Sequence, residues 1–205
     1  MKQLRAIEVL ITRLWMISRE NDTMAVDVNS AVPDRKTCIK LMRDYDMAPH
    51  IQQHSLVVCR LAVFIAKALN ENGGDFSIEQ IQSAALLHDI TKTRSLETGE
   101  NHALTGAQVL HTLGYEQIAE IVQDHIAPPN GGDRVTPSEI VSYADKRVLH
   151  DKIVGLNERF QYLLERYGKT REAKLRINKA KKRAIDIEQK IMKKVPRYRR
   201  ELIIR

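Results

Sequence analysis

Five stretches of this chain repeat apolar residues at helical spacing, and each carries a histidine or an aspartate on its apolar stripe. The five residues are His54, His88, His102, His125 and Asp145. Residues three or four positions apart share one face of an α-helix, so a polar residue in register with a stripe points toward the core. The pattern therefore predicts an all-α bundle in which five helices direct polar side chains into one interior.

The central stripe ends in the segment LLHDITK, where His88 and Asp89 are adjacent and Lys92 follows three residues after the carboxylate. An imidazole and a carboxylate can hold a divalent cation, which lowers the pKa of a bound water. A nearby lysine can meet phosphate oxygens. The segment therefore indicates a site for metal-assisted phosphate chemistry.

A single histidine on an apolar face is usually a core residue with a hydrogen-bond partner. That interpretation weakens when four such histidines and two aspartates converge, because a buried carboxylate must be paired or bind a metal. Imidazole together with carboxylate suits iron, manganese or zinc better than magnesium or calcium. We therefore expect a shared cation among six candidate ligands, which are His54, His88, Asp89, His102, His125 and Asp145.

The remaining histidines and both cysteines lack such a context. His50, His111 and His150 lie at helix ends or off the stripes, so we expect them to be exposed or capping, with His150 ending a helix. Cys38 and Cys59 fall inside predicted helices without metal-type spacing. We interpret both as packed or free thiols of a reducing compartment.

The composition fits one soluble, mainly helical domain. The chain has 205 residues, of which 43% are hydrophobic and only 5% aromatic, enough for a sizeable aliphatic core. No strictly alternating run is long enough to require a sheet. The N-terminal apolar stripe is interrupted by Arg5, Glu8 and Arg13, and it is too polar and too short for a membrane span. We expect a cytoplasmic protein with no membrane partner.

Capping residues indicate where two of the central helices begin. Ser77 is followed three positions later by Gln80, and Thr136 is followed by Glu139 at the same spacing. Both pairs are typical of helix starts, because the first side chain accepts from a backbone N–H that has no partner within the helix. These starts predict helices that end at the central His-Asp pair and near Asp145.

The basic charge of the chain lies at its C-terminal end. Residues 151–205 carry 18 Lys and Arg against 7 Asp and Glu, a net charge of +11, whereas residues 1–150 carry a net charge of −4. An apolar stripe is ended by Gly168, and Thr170 can cap a second, basic helix that Pro196 stops.

A cationic helix can bind nucleic-acid phosphates, draw anionic substrates toward a metal site, or lie solvated against its own domain or a partner chain. We favour the last interpretation, which includes a homodimer, over substrate steering. Nucleic-acid binding is the least favoured, since neither interleaved aromatic residues nor a reading motif accompanies the charge. The N-terminal amphipathic helix likewise indicates packing or a dimer contact.

The order and spacing of the candidate ligands resemble the HD-domain metal-dependent phosphohydrolases, whose pattern is H, then HD, then a late D. Here those residues are His54, His88, Asp89 and Asp145, and the resemblance covers about residues 33–156. The segment HDITK resembles the HDxxK variant of the pattern. HALTGA resembles the HxxxGA element of that branch, and YADKR resembles its closing helix.

The resemblance implies a role for each candidate residue. One metal would be bound by four of them, namely His54, His88, Asp89 and Asp145. A second would be bound by His102 and His125, with Asp89 bridging. Asp89 and Lys92 would be catalytic, with a metal-activated hydroxide attacking phosphorus while Lys92 neutralises a phosphate. Arg94, near the expected mouth of the site, would add a substrate contact. The two divalent ions would be iron or manganese first, with zinc, nickel, cobalt or magnesium as alternatives.

Within the family, the chain is similar to bacterial diadenosine tetraphosphate hydrolases, which share HDxAK-like and HxPxGA-like segments. It is also similar to HD domains fused to molybdenum-cofactor nucleotidyltransferases. It differs from the tetraphosphate hydrolases at Thr91, which precedes the lysine, and at Leu104, where that group tends to have proline. Its long basic tail is a further difference.

We therefore expect an HD-domain helical bundle with a basic helical C-terminal extension. The expected divisions are an N-terminal amphipathic helix and linker at 1–32, the phosphohydrolase domain at 33–156 and the extension at 157–205. The expected function is hydrolysis of a phosphate ester or anhydride of a nucleotide-like small molecule at a dinuclear centre. Two alternatives remain open: an HD-fold diiron oxygenase, and a non-catalytic, metal-stabilised module that binds RNA through its basic tail.

Overall fold

A computed structural model describes residues 32–196 of the chain. Most of the predicted N-terminal helix and linker, and residues 197–205 of the predicted extension, lie outside the described residues. Within residues 32–196, α-helices account for nearly all regular structure, and the only strands form one short hairpin. This arrangement confirms the predicted all-α fold class.

The helices and strands follow one another in short steps. In chain order they are α1 (Arg35–Asp44), α2 (Pro49–Asn70), α3 (Ile78–Leu87), α4 (Lys92–Thr98), α5 (His102–Thr112), α6 (Glu116–Asp124), α7 (Pro137–Lys146), β1 (Val148–Leu149), β2 (Lys152–Ile153), α8 (Leu156–Tyr167) and α9 (Arg171–Lys194).

The long helix α2 is the centre of the bundle. It packs against α3 and α7, while α3 also contacts α1 and α6. Val58, Ala62 and Ile65 of α2 are fully buried, and a side chain of the size of Val58 or Ile65 contributes about 1.5–3 kcal/mol when it is removed from water. The interior is therefore aliphatic, and the polar cluster described below lies at one edge of it.

The predicted capping residues are found at the predicted helix starts. The Ser77 side chain accepts from the backbone N–H of Gln80 before α3, and Thr136 forms a reciprocal capping box with Glu139 at the start of α7. The Thr170 hydroxyl caps α9 in the same way. As a result, α3 ends at the residue before the central His-Asp pair, and Asp145 lies in the last turn of α7.

The expectation that His150 ends a helix is wrong. Helix α7 already stops at Lys146, and the chain then forms the antiparallel pair β1–β2 with Val148 opposite Ile153. His150 lies in the connecting turn with a φ of 57°, which a continuing right-handed helix cannot contain. It is exposed, as expected.

The basic helix α9 packs on α7 and α8 through a narrow apolar stripe, with Ala184, Ile187 and Ile191 buried. Polar contacts accompany the stripe: the Tyr143 hydroxyl donates to Glu188 Oε1 at 2.7 Å, and Lys190 Nζ donates to Glu139 Oε1 at 2.6 Å. The helix is thus attached to the helix that carries Asp145. None of the described helices combines the length and apolarity that crossing a membrane requires.

Candidate metal centre

All six candidate ligands lie together, and helix ends position most of them. His88 and Asp89 occupy the turn after α3, and His125 directly follows α6. His102 is the first residue of α5, and Asp145 lies one residue before the end of α7. His54 alone projects from the middle of a helix, α2. Side chains at helix ends leave room for a ligand, because no further turn of the same helix covers them.

Three of the imidazoles are held in the same orientation by backbone carbonyls. The Nδ1 atoms of His54, His88 and His125 lie 2.9, 2.8 and 2.6 Å from the carbonyl oxygens of His150, Ala85 and Val122 respectively. A carbonyl only accepts, so each Nδ1 carries the proton and donates it. Each Nε2 therefore faces the cluster, the arrangement that orients histidine for binding a metal.

The two carboxylates lie among these Nε2 atoms. Asp145 Oδ1 is 3.0 Å from Nε2 of His54 and 3.8 Å from Nε2 of His88. Asp89 Oδ2 is 3.5 Å from Nε2 of His88, and Asp89 Oδ1 is 3.0 Å from Nε2 of His102 and 4.0 Å from Nε2 of His125. The carboxylate of Asp89 thus lies between three of the imidazoles.

Two groups of three residues offer donor atoms that all lie within 4.8 Å of one another. One consists of His54, His88 and Asp145, and the other of His88, Asp89 and His125. His102 is in neither group, although its ring lies 5.3 Å from that of His125. The groups share His88, whose Nε2 atom can bind one cation.

Burial and charge set the protonation states of the cluster. Burial lowers the pKa of His88, and burial together with His88 lowers the pKa of His125 to about 3, so both are neutral at neutral pH. Burial alone would raise the pKa of Asp89 and Asp145, but the surrounding histidines and lysines hold both well below their usual range. Burial alone would lower the pKa of His54, but its hydrogen bond with Asp145 raises it. Neutral imidazoles and ionised carboxylates are the forms that bind metals, and His88, His125, Asp89 and Asp145 are in those forms.

The Nε2 atom of His88 tests whether these residues fit a cation. It is buried and has no hydrogen-bond partner among the described residues. Its lone pair faces the ionised oxygens of Asp89 and Asp145, with no donor between them. Buried polar atoms are normally satisfied, and a buried lone pair that faces two carboxylate oxygens is unfavourable unless a donor or a cation contacts that lone pair. The residues therefore fit a divalent cation.

Two small features bring His102 to the cluster. The Thr91 hydroxyl donates to the backbone oxygen of His102 at 2.9 Å, which ties the start of α5 to the turn after α3. Gly106, one turn further along α5, approaches that turn closely: an added Cβ would lie 3.2 Å from Ile90 and 3.4 Å from Val122. Glycine at this position therefore lets α5 lie near the His-Asp pair.

The two predicted substrate-binding residues differ in their surroundings. Lys92, at the start of α4, has its Nζ 3.2 Å from Nδ1 of His102 and 3.9 Å from Oδ1 of Asp89, and its side chain is 31% exposed. Arg94 is turned toward Glu100, with 3.2 Å between Nη2 and Oε2. Among the described residues, no hydrogen bond or ion pair joins Arg94 to the cluster.

Sequence reasoning missed Lys146. Its Nζ donates to Asp145 Oδ2 at 2.7 Å and lies 3.5 Å from the backbone oxygen of His125. Its side chain is only 14% exposed. This ammonium therefore holds the second oxygen of Asp145 while Oδ1 faces the imidazoles. The signal in the sequence was only its place after Asp145 in the YADKR segment.

A family model described as the HD domain matches residues 51–198. The chain belongs to the HD-domain family. Its match includes every candidate ligand and continues through α9. HD domains bind divalent metals, and family membership supports a metal-dependent phosphohydrolase in general terms. The predicted division of the chain at residue 156 stays a prediction.

Two relatives illustrate how far the similarity of this HD-domain chain extends. An uncharacterised protein of Methanocaldococcus jannaschii is 29% identical over 143 residues, which is 62% of this chain and 83% of the relative. A crystal structure of a predicted HD superfamily hydrolase from an uncultured Thermotogales bacterium is 19% identical, with a TM-score of 0.45. That match covers 78% of this chain and 92% of the other.

Proposed function

We propose that this chain hydrolyses a phosphate ester or anhydride of a nucleotide-like molecule at a dinuclear metal centre. The observation that carries the proposal is the buried, unpartnered Nε2 of His88, which faces the carboxylates of Asp89 and Asp145. In a core histidine with a purely structural role, this nitrogen would be expected to form a hydrogen bond.

The proposed ligands divide between two cations. One would be held by His54, His88, Asp89 and Asp145, and the second by His102 and His125, with Asp89 shared between them. The position of Asp89 between three imidazoles supports its shared role. The mixed imidazole and carboxylate donor set favours iron or manganese. A bound divalent cation lowers the pKa of water and withdraws charge from phosphoryl oxygens.

The remaining residues would position the ligands and the substrate. The backbone oxygen of His150 and the ammonium of Lys146 fix His54 and Asp145 in their orientations. Lys92 is partly exposed at the edge of the cluster, so we assign its ammonium to neutralising a substrate phosphate. Arg94 would join it only after releasing Glu100. Asp89 and Lys92 are therefore the proposed catalytic residues.

The HDITK and HALTGA segments support dinucleoside polyphosphates as the first substrates to test, because similar segments occur in the diadenosine tetraphosphate hydrolases. The test measures phosphate or nucleotide release from mononucleotides, cyclic dinucleotides and dinucleoside polyphosphates, using protein loaded with iron or manganese. We expect turnover with at least one nucleotide substrate.

The His125→Ala variant should lose that turnover, because it removes a proposed ligand. His111→Gln is the matched control: this histidine is partly exposed, pairs with Glu116 and lies outside the cluster, so its removal should leave turnover unchanged. Metal-loaded protein that releases no phosphate from any substrate, but consumes dioxygen, would replace the hydrolase by the oxygenase alternative.

A further inference from the structure

A cleft of about 600 Å³ lies between α9, α7 and the loop that follows α6. Its volume falls within the range of about 300–1,000 Å³ that is usual for small-molecule sites. The loop side of the cleft includes Ile126 and Pro129, and the helices contribute Ser142, Lys146 and Arg183 among others. The cleft is therefore large enough for a nucleotide-sized ligand.

Part of the cleft lining is apolar, and we call this part the floor. Ala180, Ala184 and Ile187 of α9 line it together with Ile126 and Ala127. Ile126 is 40% exposed, although it directly follows the buried His125 and a large aliphatic side chain gains by burial. An apolar floor of this kind suits a flat, weakly polar group such as a nucleobase.

Three cations on the cleft side of α9 have no ion pair with any described residue. They are Arg176, Lys179 and Arg183, whose spacing of three and four residues places them on one helix face. The other cations of α9 that line the cleft are already paired, Lys182 with Asp186 at 3.0 Å and Lys190 with Glu139 at 2.6 Å. The structure thus places three cations without an ion pair beside an apolar floor.

The cleft and the metal centre share a residue. Lys146 lines the cleft, and its Nζ also lies 2.7 Å from Asp145 Oδ2. Ile126 and Ala127, which directly follow the candidate ligand His125, also line the cleft. A molecule that reaches the cluster past Lys146 would therefore extend along the floor toward the cations of α9.

We propose that this cleft binds the part of the substrate that lies beyond the scissile phosphate, with a nucleobase on the apolar floor and further phosphates on Arg176, Lys179 and Arg183. The ligand class is a nucleoside polyphosphate or dinucleotide. A nucleoside monophosphate has a single phosphate, and that phosphate would lie at the metal centre. No phosphate would then contact these three cations. The location of the reacting phosphate rests on the proposed function, whereas binding in the cleft does not.

Calorimetric titration of the full-length protein with ATP, inorganic tripolyphosphate and AMP tests this assignment. The variant is Lys179→Gln with Arg183→Gln. The matched control, Arg171→Gln with Lys174→Gln, removes the same two charges from α9 at positions that do not line the cleft. Thermal unfolding of both variants verifies that each remains folded.

We expect the cleft variant to weaken ATP binding by roughly tenfold or more, the factor of one lost contact between a cation and a phosphate. The control should change it by less than about twofold, since distant charges are screened by salt. ATP should bind more tightly than AMP, because AMP lacks the further phosphates, and more tightly than tripolyphosphate, because tripolyphosphate lacks the base.

Equal effects of the two double variants, or no measurable ATP binding, would overturn the inference. A single-stranded RNA that required Lys179 and Arg183 while ATP did not bind would also overturn it. If ATP binds in the cleft as expected but no substrate is hydrolysed by metal-loaded protein, the cleft assignment stands and the proposed function fails. If the protein hydrolyses a substrate and the cleft variant has unchanged kcat and KM, the proposed function stands and the cleft assignment fails.

Discussion

The candidate metal centre and the adjoining cleft hold their polar groups in opposite ways. In the candidate metal centre, six side chains that lie in or directly after five helices are oriented by one another and by backbone carbonyls, and His88 is completely buried. In the cleft, Arg176 and Lys179 extend from one exposed helix face and have no ion pair with any described residue. The side chains of the first region are held by hydrogen bonds and burial, whereas the cations of the second have no ion pair that a ligand would have to replace.

The difference separates what each region contributes. Geometry fixed by burial is what chemistry at a metal requires, because ligands must stay within a few tenths of an ångström of their positions. Flexible cations on the surface destabilise the fold little and can adapt their conformation to an anion. They therefore contribute to ligand affinity more than to precise positioning of the ligand. Substitutions in the two regions should therefore have different effects: those in the first should reduce turnover, and those in the second should reduce ligand affinity.

The largest effect is expected at the centre of the cluster. Asp89→Asn keeps the shape of the side chain but removes the charge that we assign to both cations. Phosphate release should fall by more than roughly 100-fold, since even outer-shell partners of a metal commonly contribute 10–100-fold. Asp44→Asn, in an exposed pair with Lys40, is the control and should retain activity. Comparable losses of activity in both variants would mean that the net charge of the protein, and not the carboxylate of Asp89 in the cluster, determines turnover.

The next effect concerns how α9 is held as a wall of the cleft. Ile191 is fully buried, so Ile191→Ala should reduce the free energy of unfolding by about 2–4 kcal/mol through lost burial and a cavity. Leu175 on the same helix is 61% exposed, and Leu175→Ala should change it by less than about 0.5 kcal/mol. Urea unfolding measures the free energy of unfolding of both variants. Similar losses in the two would show that contacts other than the apolar stripe hold α9 in place.

Cys38 shows what burial does without a neighbouring cluster of charges. Burial raises the pKa of its thiol to about 11 from 9.0. The folded state then holds the proton more tightly than the unfolded state, so this contribution to stability is complete below pH 9 and is lost as the pH rises toward 11. At pH 10 the loss is about 1.4 kcal/mol.

The measurement for Cys38 is the free energy of unfolding from pH 8 to pH 10 in the natural protein and in Cys38→Ala. Other groups titrate in the same range, so the quantity that matters is the difference between the two slopes. The natural protein should lose more stability with rising pH than the variant. Parallel curves would show that the thiol keeps an ordinary pKa in the folded protein.

The smallest effect is expected at an exposed ion pair beside the cleft. Lys182 and Asp186 are 3.0 Å apart, with side chains 79% and 58% exposed. Lys182→Gln should change the free energy of unfolding by less than about 0.5 kcal/mol, because exposed pairs on a helix contribute little. A loss above about 1 kcal/mol in urea unfolding would indicate that surface charge helps to fasten α9.

Local signals in the sequence were sufficient for the helix starts and for the inward direction of the ligands. Ser77 and Thr136 act on backbone groups only three residues away, so their capping can be read without the fold. The direction of His54 follows from its register with the apolar stripe, and its side chain is 12% exposed. We inferred from burial that the candidate ligands converge, and the six side chains do lie close together.

Contacts between distant parts of the chain could not be read in this way. The carbonyl that orients His54 belongs to His150, 96 residues later, in a turn that helical periodicity does not predict. The pairing of Arg94 with Glu100 depends on how α4 ends, and the cleft exists only because α9 packs on α7. The sequence indicated a basic helix but not which of its charges would remain unpaired.

The central claim is that the buried cluster holds divalent cations, and metal analysis of anaerobically purified protein tests it most directly. We expect about two equivalents of iron or manganese per chain, and a large loss of bound metal in His88→Ala, because His88 belongs to both candidate groups. His111→Gln should keep the metal content of the natural protein. A natural protein that carries no metal, and takes up none when iron or manganese is supplied, would contradict the account.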